Sequence, residues 1–285
     1  MVTLKQNELS QFLEGENTPP PGSPISWASF THCGLVRQEN EDAICIETGP
    51  ENDEAPRYLF AIADGLGGHQ AGAVASRLAL TVIQEEFHKW PSGANDRFIS
   101  KAMRAANQEV YNSANSTPEL FKMQTTLTTV MVEQDSITIG HIGDCRLYKV
   151  RKGRIELLTR DHSMANDLLQ MHLISQEQAW QHPGRHQLTR SVGADLFLRI
   201  DLVKQQIEPG DTFLLCSDGL WSELSPETIK ETIQKNDICD ASKELVELVL
   251  KEGAPDNISG IIFRINKAEK QPSSSFSWRT IFRSN

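Results

Sequence analysis

Six acidic residues sit in five short, widely separated segments, each with the grammar of a strand end or a tight turn. In chain order they read Asn40-Glu41-Asp42, Ala63-Asp64-Gly65-Leu66-Gly67-Gly68-His69, Ile142-Gly143-Asp144, Ser217-Asp218-Gly219 and Asp256-Asn257. Carboxylates collected in one place repel one another unless a cation sits among them. A single Asp-Gly is most often an ordinary turn. Finding every one of these acids at the end or entrance of an apolar run argues instead for a fold whose strand tips converge on a pocket for hard divalent metals. Oxygen ligands without a Cys/His cluster select Mg²⁺ or Mn²⁺ over zinc.

The bulk numbers narrow the partners. The 285 residues are 39% apolar, enough for one large core or two small ones. Acidic residues outnumber basic ones by 38 to 28, a formal charge of −10, which argues against nucleic acid as the main partner. Five widely spaced cysteines with no C-x-x-C read as reduced thiols in a cytoplasmic protein. The first 15 residues lack the apolar stretch of a signal peptide, and no apolar run reaches the roughly 18 residues of a membrane span.

Composition divides the chain into a leader over 1–24 ending in Pro19-Pro20-Pro21-Gly22-Ser23-Pro24, a domain over 25–266, and a tail over 267–285. Strand-like runs at Ile25 to His32, Ala43 to Glu47 and Tyr58 to Ala63 open the domain. Two helices are expected next. The first, Ala71 to Trp90, carries Val74, Leu78 and Val82 at four-residue spacing, and the second covers Asp96 to Asn112. Strands return at Thr126 to Val132, Ser136 to Ile142 and Arg146 to Val150, with Lys152-Gly153 turning into Arg154 to Leu158. A polar helical region, His162 to Gln181, interrupts them before strands at Leu196 to Val203 and Thr212 to Cys216. Ser225-Pro226 starts a helix, Asp240 is read as the cap of another, and Ile258 to Ile265 closes the domain. Runs of strands alternating with pairs of helices do not make βαβ units. They predict an α+β fold, a four-layer α-β-β-α sandwich with two antiparallel sheets flanked by helix pairs.

Arg37 lies just before Glu41-Asp42 and offers a planar guanidinium suited to gripping phosphate, or a surface ion pair with Glu39 or Glu41. His182-Pro183-Gly184-Arg185-His186 reads as a polar loop end, because no acidic or Cys partner stands at ligand spacing. The tail segment Phe276-Ser277-Trp278-Arg279-Thr280-Ile281-Phe282-Arg283 interleaves aromatic and basic residues. It could pack on its own domain or dock to a partner or an anionic membrane surface.

The ordered set Arg37-x-x-Asn40-Glu41-Asp42, Asp64-Gly65-Leu66-Gly67-Gly68-His69, Thr125-Thr126-Leu127, Gly143-Asp144-Cys145-Arg146, Asp161-His162-Ser163, Leu188-Thr189-Arg190, Ser217-Asp218-Gly219-Leu220 and Asp256-Asn257 resembles bacterial members of the metal-dependent protein phosphatase 2C family, over roughly residues 25 to 265. The resemblance implies hydrolysis of phosphoserine and phosphothreonine in proteins by a metal-activated water, without a phosphoenzyme. It also implies two Mn²⁺ or Mg²⁺ ions: one on Asp64, Asp218 and Asp256, the other on Glu41, Asp64 and the Gly65 carbonyl. Asp144 with Asp218 matches a third, weaker metal position. Arg37 matches the phosphate-binding arginine, Asp42 and Asn257 match supporting positions, and residues 163–185 match a mobile flap. Phosphoproteins, a cognate Ser/Thr kinase among them, are the implied partners of an expected monomer. Two residues depart from the family pattern. Leu66 stands where many eukaryotic members have a histidine, leaving His69 open as a proton donor or a structural residue. Cys145 stands where serine is usual and adds an oxidisable thiol beside Asp144.

Overall fold

The computed structural model describes residues 23–50, 56–67, 70–91, 95–133 and 135–266. The leader through Gly22, the tail from Lys267 and His69 therefore lie outside the described residues. Two antiparallel sheets form the centre. The first holds β1 (Ile25–His32), β11 (Ile258–Ile265), β10 (Thr212–Cys216), β7 (Arg146–Arg151) and β8 (Arg154–Leu157) in that order. The second runs β2 (Asp42–Thr48), β3 (Tyr58–Leu66), β5 (Leu127–Glu133), β6 (Ser136–Ile142) and β9 (Asp201–Gln206), with the short β4 (Gln124–Thr125) on the end of β3.

Helices α1 (Gln70–Lys89) and α2 (Asn95–Ser116) cover the second sheet, through a core that includes Ala75, Ala79, Ile83, Phe87, Phe98 and Met103. Two short helices, α3 (Met164–Gln170) and α4 (Gln176–Gln181), lie between β8 and β9. The one-turn α5 (Asp218–Trp221) follows β10, and α6 (Pro226–Lys235) and α7 (Ile238–Lys251) cover the first sheet. A third core lies between the sheets. There Phe60 of one sheet stacks on Phe263 of the other at 4.4 Å, and Phe263 stacks on Phe213 at 4.8 Å. The α-β-β-α layering is the one the sequence predicts.

Antiparallel pairing dictates where the site falls. The C-terminal ends of β1, β3, β6 and β10 lie beside the N-terminal ends of β11, β2, β5 and β7. All the acidic segments occupy that one end.

Several element boundaries differ from expectation, for physical reasons. The buried face of α1 is the alanine side, with Ala71, Ala75 and Ala79, while Val74 is exposed. Small residues let this helix lie close on the strands, and the valine stripe falls to its flank. Asp237, not Asp240, caps α7, its Oδ1 accepting from the Cys239 and Asp240 amides at 2.9 Å. The strand expected at Leu196 begins only at Asp201, where β6 supplies a partner opposite His141. Leu198 and Ile200 still pack on the core, but Phe197 points to solvent. Asp64-Gly65 is a strand continuation, with Gly65 opposite Thr125, instead of a turn. The Lys152-Gly153 hairpin turn is as expected, both residues taking positive φ, +48° and +82°.

Phe263 bridges both sheets and is fully buried. Phe263→Ala should therefore cost about 3–5 kcal/mol, read as a lower urea midpoint at unchanged slope; a loss below about 1 kcal/mol would show that the stacked ring is not what holds the sheets together.

Candidate metal and phosphate site

The acidic strand ends line one cleft of about 350 Å³, whose walls include Arg37, Glu41, Asp64, Gly65, Asp144, Arg185, His186, Asp218, Glu223 and Asp256. Each side chain is set by backbone fixed elsewhere. The Asp64 amide donates to Thr126 Oγ1 at 2.8 Å. Its carbonyl accepts from the Thr126 amide and from Thr125 Oγ1, both at 2.8 Å, so the carboxylate is left for the cleft. The Glu41 amide donates to Asn257 Oδ1 at 2.9 Å, and the Glu41 carbonyl accepts from Ser76 Oγ and the Gly65 amide. Asn257 Nδ2 also donates to the carbonyls of Cys33 and Glu39, tying the loop that carries Arg37 to the start of β11. Asp144 leaves the end of β6 through Gly143, whose φ of +107° a side chain would strain and whose Cβ would strike Thr126. Trp221 Nε1 holds the Asp144 carbonyl at 2.9 Å.

Not every sequence candidate reaches the cleft. Asp42 is buried behind it, directly across the β2–β3 ladder from Asp64, and accepts from Ser217 Oγ at 2.7 Å. The Arg37 NH2 group donates to Asp256 Oδ2 at 2.8 Å, which holds the guanidinium at the cleft. The reading of His182 to His186 as a partnerless loop end is corrected. His186 Nδ1 sits 3.0 Å from Asp218 Oδ2, and Asp144, His186 and Asp218 can bring one ligand atom each within 4.8 Å of one another. The partner is distant in sequence, which spacing alone cannot reveal. Reading the sequence also missed Gly72, on α1. A Cβ there would stand 2.8 Å from Glu41 Oε1, so the Glu41 carboxylate lies against bare helix backbone. A glycine in the first turn of an otherwise alanine-rich helix is the signal that could have shown it.

The electrostatics bear on a cation. Burial, reinforced by neighbouring carboxylates, holds the Asp64 and Asp144 carboxyls well above the usual range. Burial, partly offset by the Ser217 hydroxyl, pushes Asp42 from 3.8 up to about 8. Buried like charges opposite one another in a ladder are unfavourable by themselves. Six carboxylates against two arginines and a histidine, with no thiol in the wall, are a donor set for hard divalent ions. The residues present therefore fit such ions. Cys145 faces Thr126 Oγ1 at 3.2 Å, fully buried, and burial pushes its thiol well above the ordinary value, so the thiolate that oxidation requires is suppressed.

Comparisons with known proteins agree with this architecture. The family profile described as Protein phosphatase 2C matches residues 28–258. The chain belongs to the protein phosphatase 2C family. It is 33% identical over 238 residues to the serine/threonine protein phosphatase PstP of Mycobacterium tuberculosis, covering 84% of this chain but only 44% of that protein. The chain thus spans less than half the length of this curated relative. Among solved structures, Serine/threonine phosphatase Stp1 from Staphylococcus aureus superposes with a TM-score of 0.81 at 30% identity, over 90% of this chain and all of that one. The catalytic domain of PstP in complex with two manganese ions gives 0.75 at 31%, over 85% and 99%.

A pH dependence of stability follows. Asp42 has a raised value in the fold, so its stabilising contribution is complete below about 3.8 and is lost as pH rises through about 8. His141 works in the opposite sense. Burial and the neighbouring His162 lower it from 6.5 to about 3, so its contribution is complete above 6.5 and is lost as pH falls toward 3. Between pH 6.5 and 8 only the carboxylates act. The metal-free melting temperature should fall over that interval, and the rise produced by Mn²⁺ should be larger at pH 8 than at pH 6.5. A flat metal-free profile by differential scanning calorimetry would contradict the assignment.

Proposed function

We propose that this chain is a Mg²⁺- or Mn²⁺-dependent phosphatase of phosphoserine and phosphothreonine in proteins. The observation that carries the reading is the meeting of acidic strand ends from both sheets in one cleft, with an arginine on its rim. Glu41, Asp64 and the Gly65 carbonyl would hold one ion, and Asp64, Asp218 and Asp256 another. Asp144 with Asp218 would serve a third. Bound there, the ions would supply positive charge for the phosphoryl oxygens and acidify a water for attack on phosphorus.

The chain's own residues supply the positioning. Arg37 is permanently charged, and one of its amino groups is fixed by Asp256; its remaining N–H groups are available to orient a phosphoryl group. Asp42, gripped by Ser217, keeps the β2 side of the Asp64 ladder rigid. Asn257 links the Arg37 loop to the segment bearing Asp256, so phosphate and metal positions keep a constant separation. Arg185 and His186, at the end of the flap, bound the cleft on its other side. A phosphorylated side chain would enter between them and Arg37.

Phosphoproteins are the substrates this reading requires, a cognate Ser/Thr kinase among them. The odd cysteine count supports a cytoplasmic setting, and among the described residues no helix is long and apolar enough to cross a membrane. We take the working form to be a monomer.

Hydrolysis of a phosphothreonine peptide in Mn²⁺, abolished by EDTA and restored by metal, is the expected result; well-folded protein without turnover in any divalent metal would overturn the reading. Arg37→Ala, at a half-exposed side chain, should lower kcat/KM by roughly tenfold to a hundredfold, the worth of charge-assisted hydrogen bonds of about 1.5–3 kcal/mol. Its melting temperature should not change.

A further inference from the structure

His162 lies outside the cleft, yet it holds three parts of the site together. It is fully buried. Its amide donates to the Gly143 carbonyl at 2.7 Å, and the Gly143 amide donates back to His162 Nδ1 at 3.1 Å. One residue thus grips both polar groups of the glycine that delivers Asp144. Its carbonyl accepts from the Thr189 amide at 2.8 Å, on the segment leaving the flap, while Ser163 beside it caps α3 and bridges Leu188. Because Nδ1 accepts, the ring proton sits on Nε2, which points at Asp201 Oδ2, 3.1 Å away. Arg190 NH1 donates to the other oxygen of Asp201 at 2.8 Å, closing the chain of contacts at the flap's far root. His141 packs against the ring at 4.9 Å and is itself fixed, Nδ1 against Thr128 Oγ1 and Nε2 against the Arg160 carbonyl.

A buried imidazole used only for packing would not need all of its polar atoms directed at the two elements that flank the cleft. We propose that His162 is a positioning residue for the reaction: its Nδ1 acceptor sets the Gly143–Asp144 turn, and its backbone and Nε2 tie that turn to both roots of the flap. The place of Asp144 and the pose of Arg185 and His186 are then linked through one side chain. The effect on turnover rests on the phosphatase reading above, whereas the effect on the turn does not.

The two ring nitrogens can be separated by substitution. In His162→Asn the side-chain oxygen stands near the position of Nδ1 and can still accept from the Gly143 amide. In His162→Gln the amide reaches toward the position of Nε2 and Asp201, and the acceptor for Gly143 is lost. Two readouts are compared, hydrogen exchange of the Gly143 amide by NMR and p-nitrophenyl phosphate turnover in Mn²⁺. In H162Q the Gly143 amide should lose protection and kcat should fall about tenfold or more, with KM changed less than threefold, as expected for a misplaced group rather than lost binding. In H162N the Gly143 amide should keep its protection, and kcat should lie between those of H162Q and wild type, because the turn is held while the link from Nε2 to Asp201 is missing. Equal effects in the two variants, or protection of Gly143 unchanged in both, would overturn the proposal. Should H162Q fail to fold, Asp201→Ala, at the partly exposed anchor of the ring, takes its place. It should loosen the Gly143 amide and lower kcat in the same sense, and an unchanged amide would again overturn the proposal. Wild-type protein that shows the protected amide but no turnover would contradict the phosphatase reading while leaving the role of His162 in the turn intact.

Discussion

Repulsion among carboxylates at one end of the sandwich is the constraint around which the rest of the molecule is arranged. Asp42 and Asp64 face each other across a ladder, and Asp144, Asp218 and Asp256 come to the same place from other strands. In a metal-free fold burial, reinforced by the neighbouring charges, holds three of these carboxyls above their ordinary range, so that they keep protons. Cations resolve the same conflict without protons. The fold then has to hold the acids in place while they repel, and it does so through backbone rather than through the carboxylates themselves. The amide or carbonyl of Glu41, Asp64 and Asp144 is anchored by Asn257, Thr126 or Trp221.

The sandwich supplies the stiffness this requires. Stacked phenylalanines between the sheets fix their relative position, so the tips of β2 and β3 and those of β10 and β11 keep a constant separation. Ser217 and Asn257 then stitch the two sheets together at the rim, one through Asp42 and the other through Glu41. The segment between β8 and β9 is held differently, by polar and aromatic contacts. His186 stacks on Trp221 at 5.8 Å, and the Arg146 guanidinium, paired through two hydrogen bonds with Asp161, lies 3.5 Å from the centre of the Trp221 ring.

Much of this arrangement could be read in the sequence because strand ends announce themselves. Apolar runs stopping at Asp64, Asp144 and Asp218 gave both the element boundaries and the candidate ligands, and helix pairs between runs of strands gave the layers. What stayed hidden depended on contacts between distant segments. His186 looked partnerless because Asp218 is 32 residues away in sequence. Gly72 stayed unnoticed because only its contact with the distant Glu41 marks it. The edge strand β9 was displaced in the reading because its polar alternation, Asp201 to Gln206, carries little apolar signal, while Leu196 and Phe197 before it carry a strong but misleading one. The cap of α7 was misplaced because Asp237 and Asp240 offer the same chemistry three residues apart.

At the gathered acids, metal should replace protons. Calorimetric titration of the metal-free chain with Mn²⁺ at pH 7, repeated in buffers of different ionisation enthalpy, counts the protons expelled on binding. Binding with net proton release, reduced in Asp64→Asn, is the predicted result. Binding without proton release, or no binding by folded protein, would contradict it.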